Sequence, residues 1–443
     1  MKQDRRKFGP LGWNIRYDFT DGDLMVSLQQ MHEYLDKYEE VPYRVLRFLF
    51  TEINYGGRVT DDKDRRLINN LVYTFCSDGV VTGSGDDCYR FSPSGVYIAS
   101  DCETQKQHLE HIRGYPIVPK PEIFGLHENA DITCDQNETY GMFATVLSLQ
   151  PRVASGAGES QEVVIGRKCE DILARLPPQY DIEAVATAYP TTYRESMNTV
   201  LTQECIRYNA LLEVMKGSLA LTTKALKGLV VMSPDLEAVA FKLYDNAVPD
   251  MWAAKAYPSL KPLSSWVSDL LERCAFVQKW INSGVPPVYW VSGFFFPQAF
   301  LTGTLQNFAR KFQFPIDTVS FSFQVMDSLV EEAVAAGPED GCYIRGLFME
   351  GARWDPEAHL VGESRPKELF TEFPIIWLKP EQFRKRPESG LYDCPVYKTL
   401  TRAGTLSTTG HSTNYVLMLE LPSDQEQSFW ICRGVALFTA LSF

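Results

Sequence analysis

The sequence predicts an α+β chain: a helical region, then a second helical region built on one long helix, then an antiparallel β-barrel-like region. Three observations carry that expectation. Apolar residues recur at helical spacing through most of the chain up to Phe312. No proline interrupts the segment from Glu195 to Met232. From Ile316 the period changes to alternation, with Val319, Phe321, Phe323 and Val325 separated by polar residues, and strand-like runs then follow one another without helices between them.

Each element has a local reason. Asp23 is placed to cap a helix whose Leu24, Leu28, Met31, Leu35 and Tyr38 form one apolar stripe facing a core. Pro42 opens a second helix carrying Val45, Leu46, Leu49, Phe50 and Ile53, which Gly56-Gly57 ends. Thr60 opens a third, with Asp61 and Asp62 in the first turn, where the helix dipole favours negative charge. Residues 77–87, rich in Gly, Ser and Asp, read as a loop, and Thr133 caps a helix over 133–149. Ser155-Gly156-Ala157-Gly158-Glu159-Ser160 is the one clear flexible stretch.

A helix over 163–176 stops at Pro177-Pro178. The proline-free stretch that follows has only Gly217 and Gly228 as weak points. Unbroken, it would span about 50 Å at ~1.5 Å per residue and serve as a strut. Helices over 262–283 and 297–312 come next, then strands over 342–349, 375–378, 396–399, 414–421 and 430–441, with Gly, Pro and Asp clusters between them.

Composition excludes several classes. A chain of 443 residues exceeds what one core organises, so two to four domains are expected. A formal net charge of -13 argues against a phosphate-neutralising face, so neither nucleic acid nor an anionic membrane is an expected partner. The 10 cysteines are scattered singly without a Cys-x-x-Cys pair, as reduced, buried thiols of a cytosolic protein would be. The start, Met1 to Lys7, is charged and has no apolar run behind it, so no signal peptide is expected. The apolar stretch 285–301 is interrupted by Pro286, Pro287, Ser292, Pro297 and Gln298, which favours a buried strand, a turn and a helix over a membrane span.

Chemistry is conspicuous by what the residues lack. A phosphate cradle needs Gly-x-x-x-x-Gly-Lys-Ser/Thr, and no such string occurs; Gly83-Ser84-Gly85 and Gly156-Ala157-Gly158 have no lysine. No catalytic, cofactor-binding or metal-ligating residue is assigned. His108 and His111 share a helical face, but no third ligand is near in sequence, and a solvated face is expected. His127-Glu128 is read as a loop-fixing hydrogen bond. His411, amid Ser407, Thr408, Thr409, Ser412 and Thr413, is read as a tight hairpin without a nucleophile elbow. Arg65-Arg66 is expected to be an exposed helical charge pair, and Arg353-Trp354-Asp355 a strand end with Trp354 buried and Arg353 paired to an acid. Tyr289-Trp290 and Phe294-Phe295-Phe296 are expected in the core.

Several long strings then bear on function: Gly341-Cys342-Tyr343-Ile344-Arg345-Gly346-Leu347-Phe348-Met349-Glu350-Gly351-Ala352-Arg353-Trp354-Asp355 and Gly404-Thr405-Leu406-Ser407-Thr408-Thr409-Gly410-His411-Ser412-Thr413-Asn414 near the C-terminus. Upstream lie Lys7-Phe8-Gly9-Pro10-Leu11-Gly12-Trp13-Asn14, Asn54-Tyr55-Gly56-Gly57-Arg58-Val59-Thr60-Asp61-Asp62 and Pro121-Glu122-Ile123-Phe124-Gly125-Leu126-His127-Glu128-Asn129-Ala130-Asp131-Ile132. In this order they resemble the C-terminal region of an axonemal dynein heavy chain, the single-headed inner-arm type above all. The resemblance implies the end of an AAA+ large subdomain over 1–20, the helical lid subdomain of the sixth AAA+ module over 21–150 and a linker over 151–161. It further implies a dynein C-terminal domain with a helical part over 162–314 and a β-barrel part over 315–443.

The function so implied is a structural and regulatory part of an ATP-driven microtubule motor for ciliary and flagellar motility. ATP and Mg would be bound by other modules, and this polypeptide, which lacks Walker motifs and the stalk, would not be catalytic alone. Implied partners are the remaining AAA+ modules, with dynein intermediate and light chains and microtubules reached through the full complex. The implied location is cytoplasm and cytoskeleton, at the axoneme of a motile cilium or flagellum. The alternative is a stand-alone scaffold or truncated dynein-like protein that docks on axonemal partners.

Overall fold

The computed structural model describes residues 8, 11–149, 160–326, 330–404 and 413–443. Residues 155–159, expected to be flexible, and 405–412, expected as a tight hairpin with His411, lie outside them, as do Lys7, Gly9 and Pro10. Helix accounts for 50% and strand for 14%, the mixed class expected, with helices first and sheets after.

In α1 (Asp21–Lys37) the cap is Thr20 rather than Asp23. The Thr20 hydroxyl accepts from the Asp23 N–H, and the Asp23 carboxylate accepts from the Thr20 N–H in return. The expected core stripe of α1 faces solvent: Leu24, Leu28, Leu35 and Tyr38 are exposed, and Ser27 is its buried residue. Helix α2 (Tyr43–Phe48) runs into a π-helical turn, Leu49–Asn54, and ends in the 3-10 turn Gly56–Arg58. Helix α3 (Asp62–Phe75) is capped by Asp61, one residue later than expected, because the Asp61 carboxylate accepts from the N–H groups of Lys63 and Asp64.

Short helical turns, Gly79–Thr82 and Gly85–Asp87, occupy part of the expected loop. Helix α4 (Gln105–Arg113), which carries His108 and His111, is opened by a Thr104–Gln107 capping box. Helix α5 (Asn129–Leu149) starts at Asn129, with Thr133 inside it donating its hydroxyl to the Asn129 carbonyl.

Next come α6 (Gln161–Arg175), α7 (Ile182–Ala188), α8 (Ser196–Leu226), α9 (Pro234–Tyr244), α10 (Leu263–Ser283) and α11 (Pro297–Phe312). Helix α8 is the expected strut, 31 residues long or about 46 Å, and it stops at Leu226 short of Met232. Its Cys205, Tyr208, Leu211, Leu212, Met215 and Leu219 are fully buried. Among the described residues no helix is long and apolar enough to cross a membrane.

The strands are β1 (Val288–Trp290), β2 (Val319–Met326), β3 (Cys342–Arg345), β4 (Phe348–Glu350), β5 (Arg353–Asp355) and β6 (Leu360–Gly362). They continue with β7 (Phe370–Glu372), β8 (Ile375–Gln382), β9 (Leu391–Tyr397), β10 (Tyr415–Pro422) and β11 (Ala436–Phe438). They form a four-stranded sheet in the order β1-β3-β8-β2, a five-stranded sheet in the order β10-β9-β11-β4-β7, and the hairpin β5-β6.

The sheets follow the helices as expected, but the β-barrel-like arrangement is not closed among the described residues. The sheets are open, and β1 with β3 and β11 with β9 pair in parallel. The expected strand over 342–349 bends at Gly346-Leu347 and feeds two sheets. The expected strand over 430–441 is instead helix α12 (Gln427–Arg433), ended by Gly434, followed by β11. One hydrophobic cluster nonetheless runs from α6, α8 and α10 into both larger sheets.

Candidate coupling interface

The helical residues 11–149 meet the C-terminal sheets along one seam, and three local devices build it. The first is the start of α3. Asp64 is fully buried, and its carboxylate accepts the backbone N–H of Asn14 at 2.6 Å and of Ile15 at 3.0 Å. The Asn14 side chain donates to Asp61 at 3.1 Å, and the Tyr17 hydroxyl accepts from the N–H groups of Thr60 and Asp61. Burial pushes the Asp64 carboxyl up to about 7; the two N–H donors oppose that rise and the Asp61 charge adds to it. Burial and the Asp64 charge likewise push the Tyr17 hydroxyl up to about 12. From the same helix Arg66 reaches across to the Asp393 carbonyl at 2.9 Å, and Lys63 lies 4.1 Å over the Tyr415 ring.

The second device is close backbone approach. Helix α3 packs on α12, which the Gln427 side chain clips to β9 through the Asp393 N–H and the Leu391 carbonyl. Gly125 (φ 76) lies so near Cys432 that a Cβ would sit 2.8 Å from the cysteine Cβ. Gly434 (φ 73) lies so near the segment at Leu11-Gly12 that a Cβ would sit 2.6 Å from the Gly12 nitrogen. Both positions combine a left-handed backbone with no room for a side chain.

The third device is Asn129 at the head of α5. Its amide donates to the carbonyls of Arg365 at 2.9 Å and Glu368 at 3.0 Å, and its carbonyl accepts the Lys367 N–H at 2.7 Å. One buried side chain thus satisfies three backbone groups of a turn that belongs to the other region. Nearby, Arg433 pairs with Glu363 at 3.0 Å, and the buried Arg402 pairs with Glu350 at 2.7 Å while donating to the Gly434 carbonyl at 2.6 Å.

Behind this seam α8 is wired into the sheets. The buried Glu204 accepts the Phe295 N–H at 2.6 Å and pairs with Arg207 at 2.8 Å; burial still raises its carboxyl above the ordinary value. The Tyr208 hydroxyl donates to the Gly293 carbonyl at 2.6 Å. On α10, burial works against ionising Asp269, but Arg273 at 2.6 Å and Lys261 at 3.1 Å overcome it and hold the carboxyl low. Arg273 also donates to the Ser292 carbonyl, and the Ser292 hydroxyl contacts the carbonyls of Gly346 and Thr439 at 2.8 and 2.5 Å. Helices α8 and α10 are thus linked by hydrogen bonds, through the 292–295 segment, to residues at the ends of β3 and β11.

The constellations singled out in the sequence fall differently. His127 does fix its loop: its Nδ1 accepts the Asn129 N–H at 3.2 Å, and burial together with Arg433 lowers its pKa. His108 and His111 do share α4, but each has its own partner, Ser100 at 2.6 Å and the Ile98 carbonyl at 3.0 Å. Among the described residues no group of three His, Cys, Asp or Glu is placed to hold a metal. Arg65-Arg66 is not a solvated pair: Arg65 bonds Glu52 and the Val59 carbonyl, and Arg66 crosses to the sheet. Trp354 is buried and Arg353 pairs with Asp355 at 2.7 Å, as expected. Of the aromatic run, Tyr289 and Phe294 are core and Phe296 is exposed.

Asn129, Gly125, Gly434 and Asp64 were not anticipated as a group. A signal was present for two of them: Gly125 and Asn129 both sit in the Pro121 to Ile132 string.

Two family models match the sequence: the AAA lid domain of the dynein heavy chain, over residues 1–130, and the C-terminal domain of the dynein heavy chain, over residues 136–439. Among curated proteins, dynein axonemal heavy chain 1 of Rattus norvegicus is 54% identical over 441 residues, covering 99% of this sequence and 10% of its own. Dynein axonemal heavy chain 3 of Homo sapiens is 50% identical, covering 98% of this sequence and 10% of its own. Dynein axonemal heavy chain 12 of Homo sapiens is 47% identical, covering 100% of this sequence and 14% of its own. The 443 residues thus span about a tenth of the length of the first of these relatives.

Proposed function

Because the protein belongs to the dynein heavy-chain family and is homologous to the C-terminal region of its axonemal members, we propose that it transmits motion within an ATP-driven microtubule motor. The lid helices act as the receiving element and the C-terminal region as the body they move against. The observation that carries this reading is the Asn129 clamp, with Arg66 and the two glycine contacts, which makes a movement of α3 or α5 a movement of the sheets. Coupling needs such an element, contacted on both sides and able to take two positions.

Nucleotide and Mg belong to other modules of the heavy chain, since these residues include no Gly-x-x-x-x-Gly-Lys-Ser/Thr string. The neighbours are those AAA+ modules, and the site of action is the cytoskeleton at the axoneme of a motile cilium or flagellum. Intermediate chains, light chains and microtubules are reached through the whole complex. In that setting the open sheets function as one barrel-like body.

The test is Asn129→Ala in an axonemal dynein that contains this region. ATP-driven microtubule gliding should slow by about twofold or more, a coupling loss of the usual size, while nucleotide affinity is unchanged. Unaltered gliding velocity would sink the proposal.

A further inference from the structure

Helix α2 turns one side inward and the other to solvent. Leu46 is its buried residue, and helical spacing puts Arg44, Arg47 and Phe48 on the opposite side. Phe48 is 57% exposed, and Ile53 in the π-helical turn that follows and Tyr73 on α3 are 53% and 62% exposed. Aromatic rings and a pair of arginines thus share one surface where α2 and α3 pack together.

Arg47 is held in place before any ligand arrives. Its Nε donates to the Tyr43 carbonyl at 3.2 Å, and its guanidinium carbon stands 4.5 Å from the centre of the Tyr73 ring. The first contact fixes the side chain along its length, and the second fixes the guanidinium beside the ring. Its two terminal nitrogens have no acceptor among the described residues, so the fork that grips a carboxylate with two parallel bonds is unspent. Arg44, on the same side of the helix, is exposed and makes no ion pair among the described residues.

The nearby acids do not compensate this charge. Glu52 pairs with Arg65 and accepts from Asn69. Asp78 lies near the Tyr43 hydroxyl, whose pKa is raised by burial and by that charge, and it bonds neither arginine. A positive, aromatic-lined spot therefore stands on a protein of formal net charge -13. Its complement is a carboxylate carried among large apolar side chains, because Arg and Tyr anchors bind best where apolar neighbours exclude water.

We infer that the α2–α3 face binds a segment of a partner polypeptide in which an acidic residue is flanked by large apolar ones. The carboxylate sits on the Arg47 fork, and the apolar side chains lie on Phe48 and Tyr73.

Fluorescence anisotropy of the 443-residue protein with a labelled peptide of glutamates flanked by leucines tests this. The same peptide with glutamine for glutamate, anionic phospholipid vesicles and sedimentation of the protein alone serve as comparisons. Saturable, micromolar binding of the glutamate peptide is expected. Arg47→Glu should weaken it by about tenfold or more. Arg47→Lys, which keeps the charge but not the fork, should weaken it by about threefold, and Tyr73→Ala, which removes the ring beneath the guanidinium, by a similar factor. The inference is overturned by absence of binding, or by the glutamine peptide or the vesicles binding equally well. A dimer of the protein alone that Arg47→Glu dissolves would assign the face to a second copy and overturn it too. So would peptide binding that survives Arg47→Glu and Tyr73→Ala, each checked for native melting.

Discussion

The helices of residues 11–149 and those of residues 160–312 have comparable apolar content and opposite fates. In α8 most of the apolar stripe, Met197 to Leu219 apart from Ile206, is buried in a cluster that continues into the sheets. In α1 the stripe is exposed, and so are Tyr140, Met142, Phe143 and Leu147 of α5. The first region holds itself together with small clusters around Phe124 and Tyr17, with Leu67 and Leu71 of α3, which are buried in the large cluster, and with polar anchors such as Asp64 and Asn129. An amphipathic pattern therefore reports that a face is apolar, and only the surrounding structure says what covers it. The difference teaches that the large cluster, which α3 joins through Leu67 and Leu71, carries the stability, while α1 and α5 depend on a few specific contacts.

That contrast can be broken by mutation. Leu212→Ala on α8 should lower stability by about 3 kcal/mol in urea titration, because a fully buried leucine leaves a cavity; a loss below about 1 kcal/mol would mean that the core is not concentrated there. Asn129→Ala should cost roughly 2 kcal/mol, since three backbone groups lose their partner. Its signature is faster hydrogen exchange in the 365–368 turn, and protection unchanged at that turn would refute the clamp.

The Asp64 carboxyl, raised to about 7, gives the pH dependence a definite sign. The folded state holds a proton that the unfolded state, at an ordinary carboxylate pKa, has released. This contribution to stability is full below about 4 and is lost as pH rises through about 7. The slope is at most about 1.4 kcal/mol per pH unit, and Asp64→Asn should flatten it in melts between those limits. A slope of the opposite sign that disappears in Asp64→Asn would show the carboxylate to be stabilised as the anion. At the small end, Leu28→Ala on the exposed face of α1 should change stability by less than about 0.5 kcal/mol. A larger loss would mean that this face is covered in solution.

Legibility in the sequence followed the range of the interaction. The helices Leu263–Ser283 and Pro297–Phe312 were readable because a proline at the start and an apolar period both lie within a few residues. The run 430–441 was misread as strand because alternation and apolar content there do not reveal that Gly434 turns the backbone out of a helix. At the coupling seam, Asn129 lies 236 residues from its Arg365 partner and Arg66 lies 327 from Asp393, separations that no local pattern encodes.

By itself the sequence determined the helical-then-sheet order, the long strut and the family to which its strings point, because caps, periods and motifs are local and need no partner. The tertiary structure alone decided that β2 and β10 stay unpaired with each other among the described residues, that apolar residues of α1 and α5 are exposed, and that Asn129 and Gly125 meet the C-terminal region while Asp64 anchors the start of α3. Those outcomes depend on which distant backbone donors, acceptors and apolar faces meet, and that is fixed only once the whole polypeptide has packed.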